Sequence, residues 1–233
     1  MGSEDLFHKH KAKKQQDLER RTSSRKPYDR ILVVCEGSKT EPIYLEEARV
    51  ELELDSANVI IDGTCGSSPI SVVKHAESTF NKEIQSGGLY NRVFCVFDRD
   101  NHTTYQEAIN HVDTINSKLK KDCISEEPIF KAIHSDPSFE FWILLHFNYS
   151  TKPYQSTQNK SIGAQVIDDL KVYMPEYKKT QRGIFKKSLS DGTLVTALNY
   201  SKRIYNRAKS SGNMNPSTNM HELIEYLQQV KQA

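Results

Sequence analysis

The stretch RILVVCEGSKTEP, residues 30–42, decides the fold. Arg30–Cys35 is an unbroken apolar, β-branched run, as a strand buried on both faces requires. A turn follows, opening with Glu36 and then Gly37. Pro42 suits the first turn of a helix, where a missing N–H leaves nothing unpaired. Strand, short turn and helix make the first half of a βαβ unit.

The same grammar repeats along the chain. Asn58–Ile61 is a second short strand, leading into DGTCGSS and a helix opened by Pro69 that runs to about Ile84. Gly87 and Gly88 break the chain before a third buried strand, Arg92–Phe97, which ends on Asp98, Arg99 and Asp100. Thr104–Lys120 reads as a helix and Pro128–Ile133 as a fourth strand. Asp136 and Pro137 then read as the cap of an apolar helix, SFEFWILLHF, residues 138–147. This alternation predicts an α/β fold: a parallel sheet with right-handed crossovers, flanked by helices. Residues 29–150 form that core. Residues 151–233 are polar and lysine-rich, and are expected to be a mainly helical, basic C-terminal region packed on the sheet's edge or lower face. It closes with an amphipathic helix over Met220–Val230. Residues 1–28 have no apolar stripe and read as a basic flexible arm, helical around residues 5–20.

Of the 233 residues, 36% are hydrophobic and 27% charged, the balance of a soluble protein. No apolar run approaches the roughly 18–20 residues that span a bilayer. The N-terminus lacks the apolar stretch of a secretory signal. Four cysteines lie far apart with no CxxC pair, which argues against a zinc module or a disulfide framework. A reducing compartment, the cytoplasm, is expected. The net charge of +2 hides a segregation: residues 1–30 carry +4, residues 31–149 carry −9 and residues 150–233 carry +7. An acidic middle between basic flanks suits a metal site beside a phosphate-gripping surface, although charge runs are also ordinary solvated faces.

In open parallel sheets, ligands bind beyond the carboxyl ends of the strands. Two strands end there in carboxylates: Glu36 after the first, Asp98 and Asp100 after the third. Gathered carboxylates repel, so a fold that collects them commonly holds a hard cation. Mg²⁺ fits, because it takes oxygen ligands and keeps waters for a substrate phosphate. Lys39 beside such a site would neutralise a scissile phosphate, or is simply an exposed loop lysine. Asp136, Ser138 and Glu140 offer a further acidic contribution. Asp136 also reads as a plain helix cap, and Glu140 in an apolar helix is costly unless paired. His146 and Trp142 read as core, and His102 as a loop histidine within reach of a phosphate.

Competing motifs fail. Gly37-Ser38-Lys39-Thr40 lacks the GK pair and first glycine of a phosphate-binding loop, and no GxGxxG follows any strand. Asp98-Arg99-Asp100 has His102 where an aspartyl-phosphate phosphatase expects threonine. No tyrosine sits in a motif that would mark a nucleophile.

A Glu-Gly turn after the first strand with Asp-x-Asp after a later one resembles the Toprim fold of primases, topoisomerases and OLD-type nucleases. More narrowly, CEGSKTEPIYL (35–45), FDRDNH (97–102), SDPSFEFWILLHF (135–147) and NPSTNMHELIEYL (215–227) are similar to the RloB family. The resemblance implies Glu36 as general acid/base or metal ligand, Asp98 and Asp100 holding Mg²⁺ or Mn²⁺, and Glu41 as a further acid at an offset not identical to that of OLD-type enzymes. It implies a nuclease or nicking enzyme acting on DNA or RNA, tRNA included, in anti-phage defence. An AAA or ABC-type ATPase partner is also implied, with no membrane partner, and an oligomer is compatible. The basic C-terminal residues, among them Lys178, Lys179, Arg182, Arg203 and Arg207, interleave with tyrosines in a manner suited to nucleic acid. The rival from another class is a non-catalytic adaptor that kept the fold and binds an ATPase or nucleic acid. Strand chemistry of the primase or topoisomerase kind would need further domains.

Overall fold

The structure is a computed structural model that describes residues 29–100 and 102–232; the expected N-terminal arm, residues 1–28, lies outside the described residues. Four strands run parallel: β1 (Ile31–Cys35), β2 (Val59–Asp62), β3 (Arg92–Asp98) and β4 (Phe130–Asp136). A two-residue strand, β5 (Ser217–Thr218), pairs antiparallel with β4, giving the order β2-β1-β3-β4-β5. Eight helices flank this sheet among the described residues: α1 (Thr40–Glu51), α2 (Pro69–Gln85), α3 (Tyr105–Lys121), α4 (Phe139–Leu144), α5 (Ile162–Lys171), α6 (Ile184–Ser190), α7 (Thr193–Ser211) and α8 (Met220–Gln232). The α/β class read from the sequence is the class observed.

The unbroken apolar runs follow from burial on both faces. Ile31, Val33 and Cys35 point into one core, shared with α1 and with α4 to α8. Leu32 and Val34 point into the other, shared with α2 and α3. Each fully buried aliphatic side chain of this kind is worth ~1.5–3 kcal/mol. Local signals fix the helix starts. Ser68 caps α2 through a reciprocal bond with Ser71, and Pro69 occupies its first turn.

The crossovers explain where a site can form. α1 carries the chain from β1 to β2 over one face, and α2 carries it back to β3 over the opposite face. The direction of winding therefore reverses between β1 and β3, and their carboxyl ends splay a crevice.

The sequence reading needs correction around β4. The strand runs Phe130–Asp136 rather than Pro128–Ile133. Asp136 therefore closes a strand instead of capping a helix, and Ser138 occupies the N-cap position of a short α4. The polar residues His134, Ser135 and Asp136 stay extended because Ser135 and Asp136 pair with β5 and His134 hydrogen-bonds to Asn219. The C-terminal region is mainly helical, as expected, but shares one core with the sheet and adds β5 to its edge. No helix among the described residues is long and apolar enough to cross a membrane.

Candidate active site

Glu36 leaves β1 with its N–H bonded to Val96 O on β3 at 2.9 Å, so it stands over the crevice. Gly37 follows at φ +73°, a left-handed conformation that glycine adopts without a Cβ clash. The turn is also pressed from outside by Gly63, just past β2. A Cβ at Gly63 would come within 2.6 Å of Gly37 O and of Pro42 Cγ. Two glycines thus set where the Glu36 carboxylate sits.

One oxygen of that carboxylate accepts the Asp98 N–H at 3.2 Å, and the other lies 3.3 Å from His102 Nε2. Neighbouring strands have brought Glu36 and Asp98 together, as their places at the ends of β1 and β3 suggested. The first turn of α1 adds Glu41, which is buried. From the far side, the first turn of α4 adds Glu140, only 1% exposed. Its carboxylate accepts from Ser138 Oγ at 2.8 Å and from the Tyr177 hydroxyl at 3.3 Å, with Lys179 Nζ 3.5 Å away. The cleft between them, about 400 Å³, is lined by Glu36, Glu41, Asp98, Asp100, His102 and Lys179 along with the turn 37–40.

Negative charge outweighs positive charge here. Burial raises the Glu36 carboxyl, and Asp100 adds to the rise, against the opposing Asp98 N–H, His102 and Lys179. Burial, Glu140 and Glu36 push Glu41 up to about 7. Asp98 is raised well above the usual carboxylate range by burial and by Glu41, Glu140 and Glu36. Lys179 responds in the opposite sense: burial works to lower it, yet Glu140, Asp98 and Glu41 hold its ammonium firmly charged. One lysine faces four carboxylates, and burial together with this crowding favours the protonated forms of Glu36, Glu41 and Asp98.

The remaining expected residues are spread around this centre. Asp100 lies exposed at the mouth at φ +33°, its N–H on Pro137 O at 3.0 Å. Lys39 is exposed on the rim. Asp136 is turned elsewhere, paired with Arg99 at 2.8 Å, and Arg99 lies over the Tyr105 ring. His146 and Trp142 are core residues: His146 Nε2 meets the Tyr44 hydroxyl at 3.2 Å, and burial lowers its pKa to about 4. Lys179 and Tyr177 were not singled out for this cleft by sequence reasoning. Lys179 stood only in a run of basic residues, and nothing in its neighbours marks it as reaching the strand ends.

Among the described residues, no three His, Cys, Asp or Glu side chains are close enough to enclose a metal ion. The donor chemistry nevertheless fits a hard divalent cation. The facing acids are oxygen donors in charge excess, and Mg²⁺ needs only one or two direct carboxylates beside its waters. Glu36, Asp98 and Asp100, the expected set, do not close together on one point, so a cation here would take one or two of them directly.

A family model described as RloB-like protein matches residues 31–227, most of the chain. No curated protein and no solved structure matches it.

Proposed function

The chain belongs to the RloB-like family, and from that premise we propose that it is a Mg²⁺- or Mn²⁺-dependent phosphodiester hydrolase with a Toprim-like core. The supporting observation is the convergence of Glu36, Glu41, Asp98 and Glu140 at the β1/β3 switch point, with charge that Lys179 alone does not balance. A bound divalent ion supplies electrostatic stabilisation of the charge that develops on a phosphodiester under attack. Asp98 and Asp100 would hold it, with waters completing its shell, and Glu36 would serve as a further ligand or as the water-orienting base. Glu36 is prepared for this by the Asp98 N–H, which fixes one oxygen, while the other faces the cleft beside His102 Nε2 at 3.3 Å. Lys179, steadied by Glu140, faces the non-bridging oxygens of the phosphate as a compact point charge. Lys39 meets the same group from the rim, and Glu41 completes the acid set on the α1 side. The substrate is DNA or RNA, tRNA included, and the setting is cytoplasmic anti-phage defence with an ATPase partner.

The test is cleavage of plasmid DNA and total tRNA by the full chain in Mg²⁺ or Mn²⁺, alone and with a candidate AAA or ABC-type ATPase partner added. Glu36→Gln and Asp98→Asn should each lose at least ~100-fold in rate, the scale on which one preorganised electrostatic group counts. Cleavage that survives in both variants would remove Glu36 and Asp98 from the active site, and no cleavage under any of these conditions would hand the case to the adaptor reading.

A further inference from the structure

A strip of chain leaves the cleft along α1 and is fixed to that helix at three points. Thr40 Oγ1 donates to the Lys179 carbonyl at 3.2 Å. Glu47 accepts the N–H groups of Gly183 and, at 3.2 Å, Phe185. Lys186 Nζ lies 3.7 Å from Glu51. Positions 40, 47 and 51 fall on one side of the helix, two turns and then one turn apart. The strip therefore runs parallel to α1, starting where the cleft opens.

Residues 178–187 carry five Lys and Arg and no Asp or Glu. All five are exposed. Backbone groups and Glu47 do the tethering, so most of the cationic heads are not used up in holding the strip down. Among the described residues, Lys178 and Arg182 have no carboxylate within ion-pair distance, and the Lys186 and Lys187 pairs are exposed contacts of small worth. Twelve residues of helix extend ~18 Å, which matches on the order of five phosphates of one strand at ~3.4 Å each.

We propose that this strip is a phosphate track that guides one strand of nucleic acid into the cleft, with Lys178 and Arg182 as its main grips. The proposal rests on the nucleic-acid reading of the cleft and adds the path that the strand takes.

The experiment is fluorescence anisotropy of labelled 12-nucleotide single strands and duplexes, in EDTA so that nothing turns over, across a salt series. Lys178→Gln/Arg182→Gln should weaken binding at least about tenfold and reduce the log–log salt slope by about 1.4 for single strands, two contacts at ~0.7 each. Arg182→Glu should weaken it further, and thermal melting verifies that each variant folds. The control pair Lys118→Gln/Lys121→Gln, in the last turn of α3 on the opposite face of the sheet from α1, should bind as the parent does. Equal loss in track and control pairs, or no loss in the track pair, overturns the proposal, as does a parent chain that binds neither probe. Binding lost in the track pair by a chain that cleaves nothing keeps the track and removes the hydrolase. Undiminished cleavage and binding in the track pair does the reverse.

Discussion

At the seam where β4 meets β5, the His134 N–H donates to Asn219 Oδ1 at 2.7 Å, and Asn219 Nδ2 donates to Ala132 O at 3.0 Å. Ser135 and Thr218 share a hydroxyl bond of 2.9 Å, and Ser201 donates to Thr218 O at 2.7 Å. A hydroxyl has one proton, so the 2.7 Å contact between Ser201 Oγ and His221 Nδ1 requires His221 to carry its proton on Nδ1. Ser217 Oγ is the exception, buried without a partner. At the cleft, one strand away, buried and half-buried acids face each other across open space with Lys179 between them. Both regions place polar groups where water is scarce. The seam satisfies them internally and so explains itself as structure, whereas the cleft leaves charge for something from outside to satisfy.

That contrast can be broken most forcefully at the seam. Asn219→Ala removes the partner of a buried N–H and a half-buried C=O at once, and should cost about 3 kcal/mol of unfolding free energy in urea. A loss below ~1 kcal/mol would mean that the seam tolerates open bonds as the cleft does. The cleft should answer with the opposite sign. Burial and the neighbouring acids raise the folded pKa of Glu41 from its ordinary 4.5 to about 7, so the stability it allows is present below pH ~4.5 and is lost as pH rises through about 7. Glu41→Gln should therefore stabilise the metal-free chain by roughly 2–3 kcal/mol at pH 8 and leave it unchanged at pH 4. Destabilisation at pH 8 would show that the carboxylate is already balanced.

Metal titration sharpens the comparison further. With Mn²⁺ at about ten times its dissociation constant, linkage gives ~1.4 kcal/mol, a rise in Tm of about 3–6 °C for a chain of this size. Asp98→Asn should abolish that rise, and the parent's rise should be smaller at pH 5 than at pH 8, because protons compete for the same oxygens. An unchanged rise in Asp98→Asn would remove Asp98 from the ion site. The smallest effect belongs to the solvent side of the seam, where Lys131 meets Glu222 at 3.1 Å. Lys131→Ala should move stability by less than ~0.5 kcal/mol in the same urea experiment, and a larger change would relocate the seam's strength to its surface.

Most of the sheet was legible because strands buried on both faces write themselves as unbroken apolar runs. Arg30–Cys35 and Arg92–Phe97 carry that signature within one residue of the observed strands. β4 was misplaced because His134, Ser135 and Asp136 look like loop residues, and what keeps them extended arrives more than 80 residues later in β5 and Asn219. Glu36 and Asp98 could be anticipated as neighbours, since each ends a strand of a parallel sheet. Glu140 could be proposed but not placed, because its partners Tyr177 and Lys179 belong to a loop that no periodicity marks. Asp136 looked equally acidic and went to Arg99 instead. Charge is visible in a sequence, and the direction in which it points is visible only where topology dictates it.

Gly63 carries no chemistry, yet it decides where the chemistry stands. Its bare backbone lies against the Glu36–Gly37 turn so closely that a single methyl would overlap a carbonyl oxygen and a proline ring. The consequence is one of diagnosis. A chain of this family with alanine at position 63 would keep every acid of the cleft and still hold Glu36 elsewhere, a change that no inspection of its acidic motifs would notice. For deciding which copies retain the geometry of this cleft, position 63 belongs beside positions 36 and 98.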